Sequence, residues 1–148
     1  MSAKAVAING TETRDKLRLE LPDISKRLER ALLDFPELDI VVGVATGGTV
    51  LASLAAFELR RPLKLMRINY RAEDNVPQRA EPELLEPFSL TGHCNVLLVD
   101  DVSVTGATFR VALSHLTGHS VKTLALKGQA DRVLYPEVKR CVLLPWRD

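Results

Sequence analysis

The spacing of apolar and polar residues changes several times along this chain, and each change marks an element. Apolar and polar residues alternate along Lys16–Leu21, which predicts a β-strand. The turn residues Asn9 and Gly10 separate this segment from Ala5–Ile8, a second short apolar run. The start of the chain therefore predicts an N-terminal hairpin.

Beyond Leu21 the pattern alternates between helical spacing and short aliphatic runs. Helical spacing after an Asp cap, or after glycines, predicts the helices Asp23–Asp34, Thr49–Leu59 and Gly106–Leu116. Apolar β-branched runs predict the strands Asp39–Val44, Leu63–Asn69, Asn95–Val99 and Val121–Leu126, with Val142–Leu144 as a possible short strand. This alternation predicts an α/β fold: a single domain, residues 1–148, whose parallel sheet is flanked by helices.

One long segment, residues 70–93, lacks either period. It is rich in proline and in acidic residues. An irregular loop of that length in a compact domain usually forms a lid or a binding loop, so we expect it to be flexible and to close over a ligand.

Composition excludes several classes of protein. The chain has 148 residues and a net charge of +1, which argues against nucleic-acid binding through bulk charge, where a pI above about 9 is usual. No apolar run approaches the ~20 residues of a membrane helix, and because the first ten residues lack an apolar core segment we expect no signal peptide. Cys94 and Cys141 lack metal-binding spacing, and we expect two reduced thiols in a cytoplasmic protein.

The strongest chemical signal follows the strand Asn95–Val99. Asp100 and Asp101 come directly after it, and their like charges call for hydroxyl donors or a cation. The next turn offers the hydroxyls and the backbone amides of a helix N-terminus, an arrangement that favours phosphate. The residues of this turn are Ser103, Val104, Thr105, Gly106, Ala107 and Thr108. Carboxylates beside a phosphate turn suit a ribose 5-phosphate.

A second glycine-containing loop follows another predicted strand. Thr46, Gly47 and Gly48 connect Asp39–Val44 to the next helix, and the glycines let the backbone approach a ligand closely. Because ligands of an open parallel sheet bind at the carboxyl ends of its strands, we expect this loop and the two acids to share one site.

The segment Val96–Thr108, VLLVDDVSVTGAT, resembles the phosphoribosyl-pyrophosphate motif of type I phosphoribosyltransferases. The resemblance extends from Ile40 to the C-terminus. It implies that Thr46–Gly48 bind pyrophosphate, that Ser103–Thr108 bind the 5′-phosphate, and that residues 70–93 form a closing loop in which Arg71 and Arg79 reach the departing charge.

The same resemblance implies a role for the acids and a cofactor. Asp100 and Asp101 would hold the ribose hydroxyls, or Mg²⁺ through water, in a chain that takes phosphoribosyl pyrophosphate and a nucleobase as its partners. A homodimer is expected from the family, and neither nucleic acid nor a membrane is expected as a partner.

The C-terminal segment looks like that of small bacterial xanthine-guanine phosphoribosyltransferases. By position, Lys127 would hydrogen-bond the 6-oxo group of a purine and Trp146 would stack on the base, within a small hood of about residues 128–148. Each residue also has a plainer interpretation: Trp146 as a packing anchor and Lys127 as a solvated lysine.

Two residues depart from the family pattern. Val104 stands where 6-oxopurine enzymes carry an acid, and a valine cannot exchange a proton with the base. Thr46 stands where a basic residue often precedes the glycines. The departures leave a second hypothesis open, a non-catalytic regulatory protein that binds phosphoribosyl pyrophosphate or a nucleotide.

Overall fold

A six-stranded, mostly parallel sheet forms the centre of the protein, in a computed structural model that describes residues 16–69 and 81–147. The sheet contains β2 (Ile40–Ala45), β3 (Leu63–Asn69), β4 (Glu83–Leu84), β5 (Asn95–Ser103), β6 (Ser120–Gly128) and β7 (Arg132–Val133). Their order is β4-β3-β2-β5-β6-β7, and within this sheet only β4 runs antiparallel to its neighbour. The predicted α/β fold with a parallel sheet is confirmed.

Helices cover both faces of this sheet. On one face, α1 (Leu21–Leu32) and α2 (Thr49–Leu59) pack with alternate residues of the central strands, such as Leu97 and Val99. On the other face, α3 (Ala107–Ser114) packs with the intervening residues. The central strands are therefore buried on both sides, as their uninterrupted aliphatic runs predict.

The hairpin predicted at the N-terminus has a different outcome for each arm. Ala5–Ile8 lies outside the described residues. The second arm shortens to β1 (Leu17–Arg18), which pairs in parallel with β8 (Val142–Leu143). A segment near the start of the chain and one near its end thus join in a two-stranded sheet of their own.

Two boundaries differ from the prediction at α1. The helix begins at Leu21, and Asp23 lies in its first turn, not at its cap. Pro22 explains the earlier start, because proline has no N–H to lose in a first turn. The helix ends at Leu32, ahead of the predicted Asp34.

The region between β3 and β5 is also more ordered than predicted. Glu83 and Leu84 form a short strand that pairs with Asn69 and Ile68. The irregular loop of residues 70–93 therefore includes an edge strand, whereas residues 70–80 lie outside the described part.

A cluster on α1 attaches the C-terminal segment to the core. The buried Tyr135 donates a hydrogen bond to Asp23 over 2.6 Å, and Arg27 lies 3.9 Å from the centre of its ring. Arg27 also pairs with Glu137 at 2.9 Å. Burial and the negative charge of Asp23 raise the pKa of Tyr135, so the hydroxyl stays protonated and keeps donating.

Candidate functional site

The carboxyl ends of β2, β5 and β6 lie side by side. Asp100 and Asp101 belong to β5 itself, which continues to Ser103, whereas the sequence placed them after a strand ending at Val99. The longer strand follows from its pairing with β6, in which Ser103 lies opposite Gly128. Both carboxylic acids are consequently buried, each with 7% of its surface exposed.

Burial of two adjacent acids has a direct electrostatic consequence. Loss of solvation, followed by the negative charge of Asp101, raises the pKa of Asp100 well above its ordinary value. Asp100 Oδ1 accepts the N–H of Asp101 over 2.8 Å, and Asp101 Oδ1 accepts the N–H of Val102 over 2.6 Å. Charging both carboxylates is therefore unfavourable, and a cation or hydroxyl donors would reduce the repulsion between them.

The glycine loop after β2 lies directly against these acids. A Cβ on Gly47 would come within 2.9 Å of Asp101 Oδ1, and a Cβ on Gly48 within 2.6 Å of the Val99 carbonyl oxygen. At Gly48 the obstacle is backbone, so only glycine permits the approach; at Gly47 any side chain would require the Asp101 carboxylate to shift. The peptide bond between Ala45 and Thr46 is cis, and the N-cap of α2, Gly48, offers no side chain to its first turn.

The turn after β5 is held by a glycine at its helix cap and by hydrogen bonds between side chains and the backbone. Gly106 has a φ of +83° and is the N-cap of α3, a conformation that favours glycine. Thr105 Oγ1 accepts the N–H of Ala107 over 3.2 Å, and Arg110 donates to the Thr105 carbonyl oxygen over 3.2 Å. The buried hydroxyl of Ser103 makes no hydrogen bond within the described residues.

Two residues that the sequence did not single out support this turn. Gly128, with a φ of +107°, lies so close to Ser103 that a Cβ would overlap the Ser103 backbone. The backbone N–H of Gln129 donates to the Ser103 carbonyl oxygen over 2.7 Å, and its side chain donates to the Val104 carbonyl oxygen over 2.8 Å. The available signal was a Gly-Gln pair that follows Lys127, one residue beyond the predicted strand Val121–Leu126.

The remaining predicted residues lie around the same edge or outside the described part. Lys127 is half-buried near the end of β6, opposite Val102. Trp146 packs, partly buried, against the core on the face of α1 and α2. Val104 is 70% exposed at the tip of the turn, and Arg71 and Arg79 fall outside the described residues.

The sequence also missed Arg147. Its guanidinium Nη1 lies 3.6 Å from Asp101 Oδ2, and the Arg147 side chain is 57% exposed. No motif marks this arginine, because only the fold brings the end of the chain to β5.

The donor set suits a hard divalent cation. Asp100 and Asp101 supply the oxygen ligands that Mg²⁺ prefers, and the unpartnered Ser103 hydroxyl adds a polar atom nearby in the chain. Within residues 16–69 and 81–147, no group of three or more His, Cys, Asp or Glu side chains could hold a metal ion. An ion here would therefore need further oxygens from water or from a bound phosphate.

The raised pKa of Asp100 yields a prediction for the metal-free protein. Because the folded state disfavours the charged carboxylate, the free energy of unfolding falls as pH rises from the ordinary aspartate range through the raised pKa. Asp100→Asn removes this cost and keeps the oxygen that accepts the Asp101 N–H. We expect the variant to gain about 1 kcal/mol at pH 8 and little at pH 4, measured by urea unfolding with a chelator present.

Glu58→Gln provides the matched control, because Glu58 is an exposed carboxylate on α2. It should leave the difference between the two pH values as in the parent protein. An Asp100→Asn variant that is no more stable than the parent at pH 8 would contradict the electrostatic account of the acid pair.

The chain matches known proteins across most of its length. The family model named phosphoribosyl transferase domain matches residues 19–144. A transcriptional regulator, GfcR 2 of Methanosarcina barkeri, is 35% identical over 96 residues, which cover 65% of this chain and 46% of that protein. The bifunctional protein PyrR of Nostoc punctiforme is 28% identical, covering 93% of this chain and 82% of that protein.

Solved structures agree with the fold. The purine phosphoribosyltransferase from Pyrococcus horikoshii superposes with a TM-score of 0.72 at 23% identity, covering 90% of this chain and 95% of that one. The chain spans about half the length of GfcR 2, the regulator that it matches at 35% identity.

No helix in the described part of the chain is both long enough and apolar enough to cross a membrane.

One assignment follows from the acids of β5, the two loops beside them and the family match over residues 19–144. This chain belongs to the phosphoribosyl transferase domain family.

Proposed function

We propose that the chain transfers the 5-phosphoribosyl group of phosphoribosyl pyrophosphate to a nucleobase, with a purine as the favoured acceptor. One observation carries the proposal: two buried, adjacent acids lie between a glycine loop and a phosphate-type turn. Ribose 5-phosphate with a pyrophosphate at C1 has hydroxyls for the acids and an anion at each end for the two loops.

Each part of the site then has a chemical task. Asp100 and Asp101 hold the ribose hydroxyls, whose donated hydrogen bonds relieve the acid pair. Ser103–Thr108 bind the 5′-phosphate through backbone amides and hydroxyls, and Thr46–Gly48 bind the pyrophosphate at the first turn of α2. Held at both ends, the sugar exposes C1 to the incoming ring nitrogen.

Departure of pyrophosphate leaves positive charge on the ribose ring, so the reaction needs negative charge near the sugar and positive charge near the leaving group. The acid pair provides the negative charge near the sugar. Mg²⁺, when bound through Asp100 and Asp101, would neutralise the leaving pyrophosphate. Arg71 and Arg79 would join it from residues 70–93 on loop closure.

The purine preference rests on Lys127 and Trp146. Lys127 lies near the end of β6, where its ammonium group can donate to a 6-oxo oxygen, and the partly buried indole of Trp146 offers a flat surface for a base.

A regulatory role is the second candidate, and Val104 favours it. The described phosphate turn carries no acid at this position, where the exposed valine cannot move a proton. The 35%-identical relative GfcR 2 is a transcriptional regulator. A protein of this kind would bind phosphoribosyl pyrophosphate or a nucleotide without turning it over.

Turnover separates the two candidates. The chain is incubated with phosphoribosyl pyrophosphate, Mg²⁺ and guanine, xanthine, hypoxanthine, adenine, uracil or orotate, and pyrophosphate release is followed. The proposal predicts base-dependent release that is greatest for a 6-oxopurine. Saturable binding of phosphoribosyl pyrophosphate without release for any base would favour the regulator.

Val104→Asp sharpens this experiment. An acid at that position could exchange a proton with the purine, so release with 6-oxopurines should rise by up to about 10²-fold, within the range of general acid–base catalysis. Val104→Asn is the matched control, because it is polar but cannot titrate. An equal gain from both variants would show that the faster release comes from a polar side chain at this position and not from proton exchange.

We also propose that the chain forms a homodimer through the outer face of α2. Phe57 is 82% exposed there. Leu65 lies on the side of β3 that faces α2, because a Cβ on Gly43 would contact both Leu65 and Ala52 of α2. Together with Leu63 these side chains leave apolar surface uncovered. Light scattering should give twice the chain mass for the parent protein and the monomer mass for Phe57→Asp.

Leu33→Asp is the control, since Leu33 is similarly exposed at the end of α1. It should retain the dimer mass. A monomeric parent protein, or a Phe57→Asp variant with an unchanged mass, would exclude this interface.

A further inference from the structure

Among the described residues, the candidate site has little positive charge beside its two acids. The glycine loop carries Thr46 and no basic residue, and the β5 strand adds two acids. Its proposed substrate is a polyanion with phosphate groups at both ends. Backbone amides and a metal ion can supply part of the attraction, and a basic side chain close to the glycine loop would supply more.

Arg147 is a basic side chain of the described part that approaches the acid next to this loop. Asp101 lies between the glycine loop and Arg147. A Cβ added to Gly47 would lie 2.9 Å from Asp101 Oδ1, and Arg147 Nη1 is 3.6 Å from Asp101 Oδ2. The guanidinium and the glycine loop therefore flank one carboxylate. Arg110, by comparison, contacts the Thr105 carbonyl oxygen at the phosphate turn.

The contact between Arg147 and Asp101 is loose enough to be exchanged for a ligand. Its 3.6 Å length exceeds the range of an N–H···O hydrogen bond. The Arg147 side chain is 57% exposed, whereas that of Asp101 is 10% exposed. The guanidinium thus retains N–H donors for solvent, in the planar fork that matches phosphate oxygens.

The backbone around Arg147 is held by several contacts, whereas its side chain is largely exposed. The Arg147 N–H donates to the Leu144 carbonyl oxygen over 3.1 Å, Trp146 packs against the core, and β8 pairs with β1. The guanidinium therefore stays near Asp101 without a long excursion of the chain, which keeps the entropic cost of engaging a ligand small.

We infer that Arg147 binds the pyrophosphate group of the substrate and so supplies the charge that Thr46 does not. In the free protein the guanidinium faces Asp101. When Asp101 engages the ribose hydroxyls, the guanidinium turns to the anion held by Thr46–Gly48. This inference rests on the proposed function, since it names a binding residue for the same substrate.

Three ligands distinguish this role from a merely structural one. Titration calorimetry, with Mg²⁺ present throughout, measures the affinity of the full chain for phosphoribosyl pyrophosphate, pyrophosphate and ribose 5-phosphate. Arg147→Gln should weaken the first two by about 10-fold to 100-fold, the loss expected for one charge-assisted contact. Ribose 5-phosphate lacks the pyrophosphate, and its affinity should change less than about 3-fold.

Two further variants complete the experiment. Arg147→Lys keeps the charge without the planar fork and should restore part of the lost affinity. Lys139→Gln removes one positive charge from an exposed position of the same C-terminal segment, and it should bind all three ligands like the parent protein.

The outcomes separate the inference from the function on which it rests. Equal weakening of all three ligands by Arg147→Gln would mean that Arg147 acts only through Asp101, and unchanged affinities would mean that it does not act at all. Either result overturns the inference while the function stands. A parent protein that does not bind phosphoribosyl pyrophosphate would overturn both.

Discussion

Two acidic side chains next to each other in a buried strand are the feature on which the site depends. Asp100 and Asp101 are almost fully enclosed by the fold, and their mutual repulsion and lost hydration raise the pKa of Asp100. A purely structural strand would gain from apolar residues at these positions. The arrangement is favourable only when hydroxyls or a cation complete it, so it indicates a ligand more strongly than any other part of the chain.

The rest of the site is built from backbone, and the sheet makes this possible. Gly47 and Gly48 allow the loop after β2 to touch β5, and Gly128 allows the end of β6 to touch Ser103. Each glycine stands where a Cβ would collide with the neighbouring strand or its acids. Bringing three strand ends this close places the two acids, the glycine loop and the phosphate-type turn at one edge of the sheet. Backbone amides at that edge suit a polyanion on a protein with a net charge of only +1.

The sequence predicted the elements that form by local rules. α2 and β3 have their predicted bounds, since capping glycines and the stop at Arg60–Pro62 act within a few residues. β5 was predicted too short because its last residues, Val102 and Ser103, are held by pairing with β6. The partnership of β1 with β8 joins residues far apart in the chain, and no local pattern could reveal it.

The same distinction separates the site residues. Asp100, Asp101 and the turn after them form a contiguous motif, and so they could be recognised. Gln129 and Arg147 reach the site through the fold alone. Lys127 and Trp146 were predicted by resemblance: Lys127 lies near the end of β6, and Trp146 packs against the core from the C-terminal segment.

A crystal structure of the chain with ribose 5-phosphate and Mg²⁺ is the most direct test of the central claim. The account predicts that the phosphate lies against Ser103–Thr108 and that the 2′- and 3′-hydroxyls lie within hydrogen-bond distance of Asp100 and Asp101. A ligand bound elsewhere, with the acid pair facing only protein atoms, would contradict it.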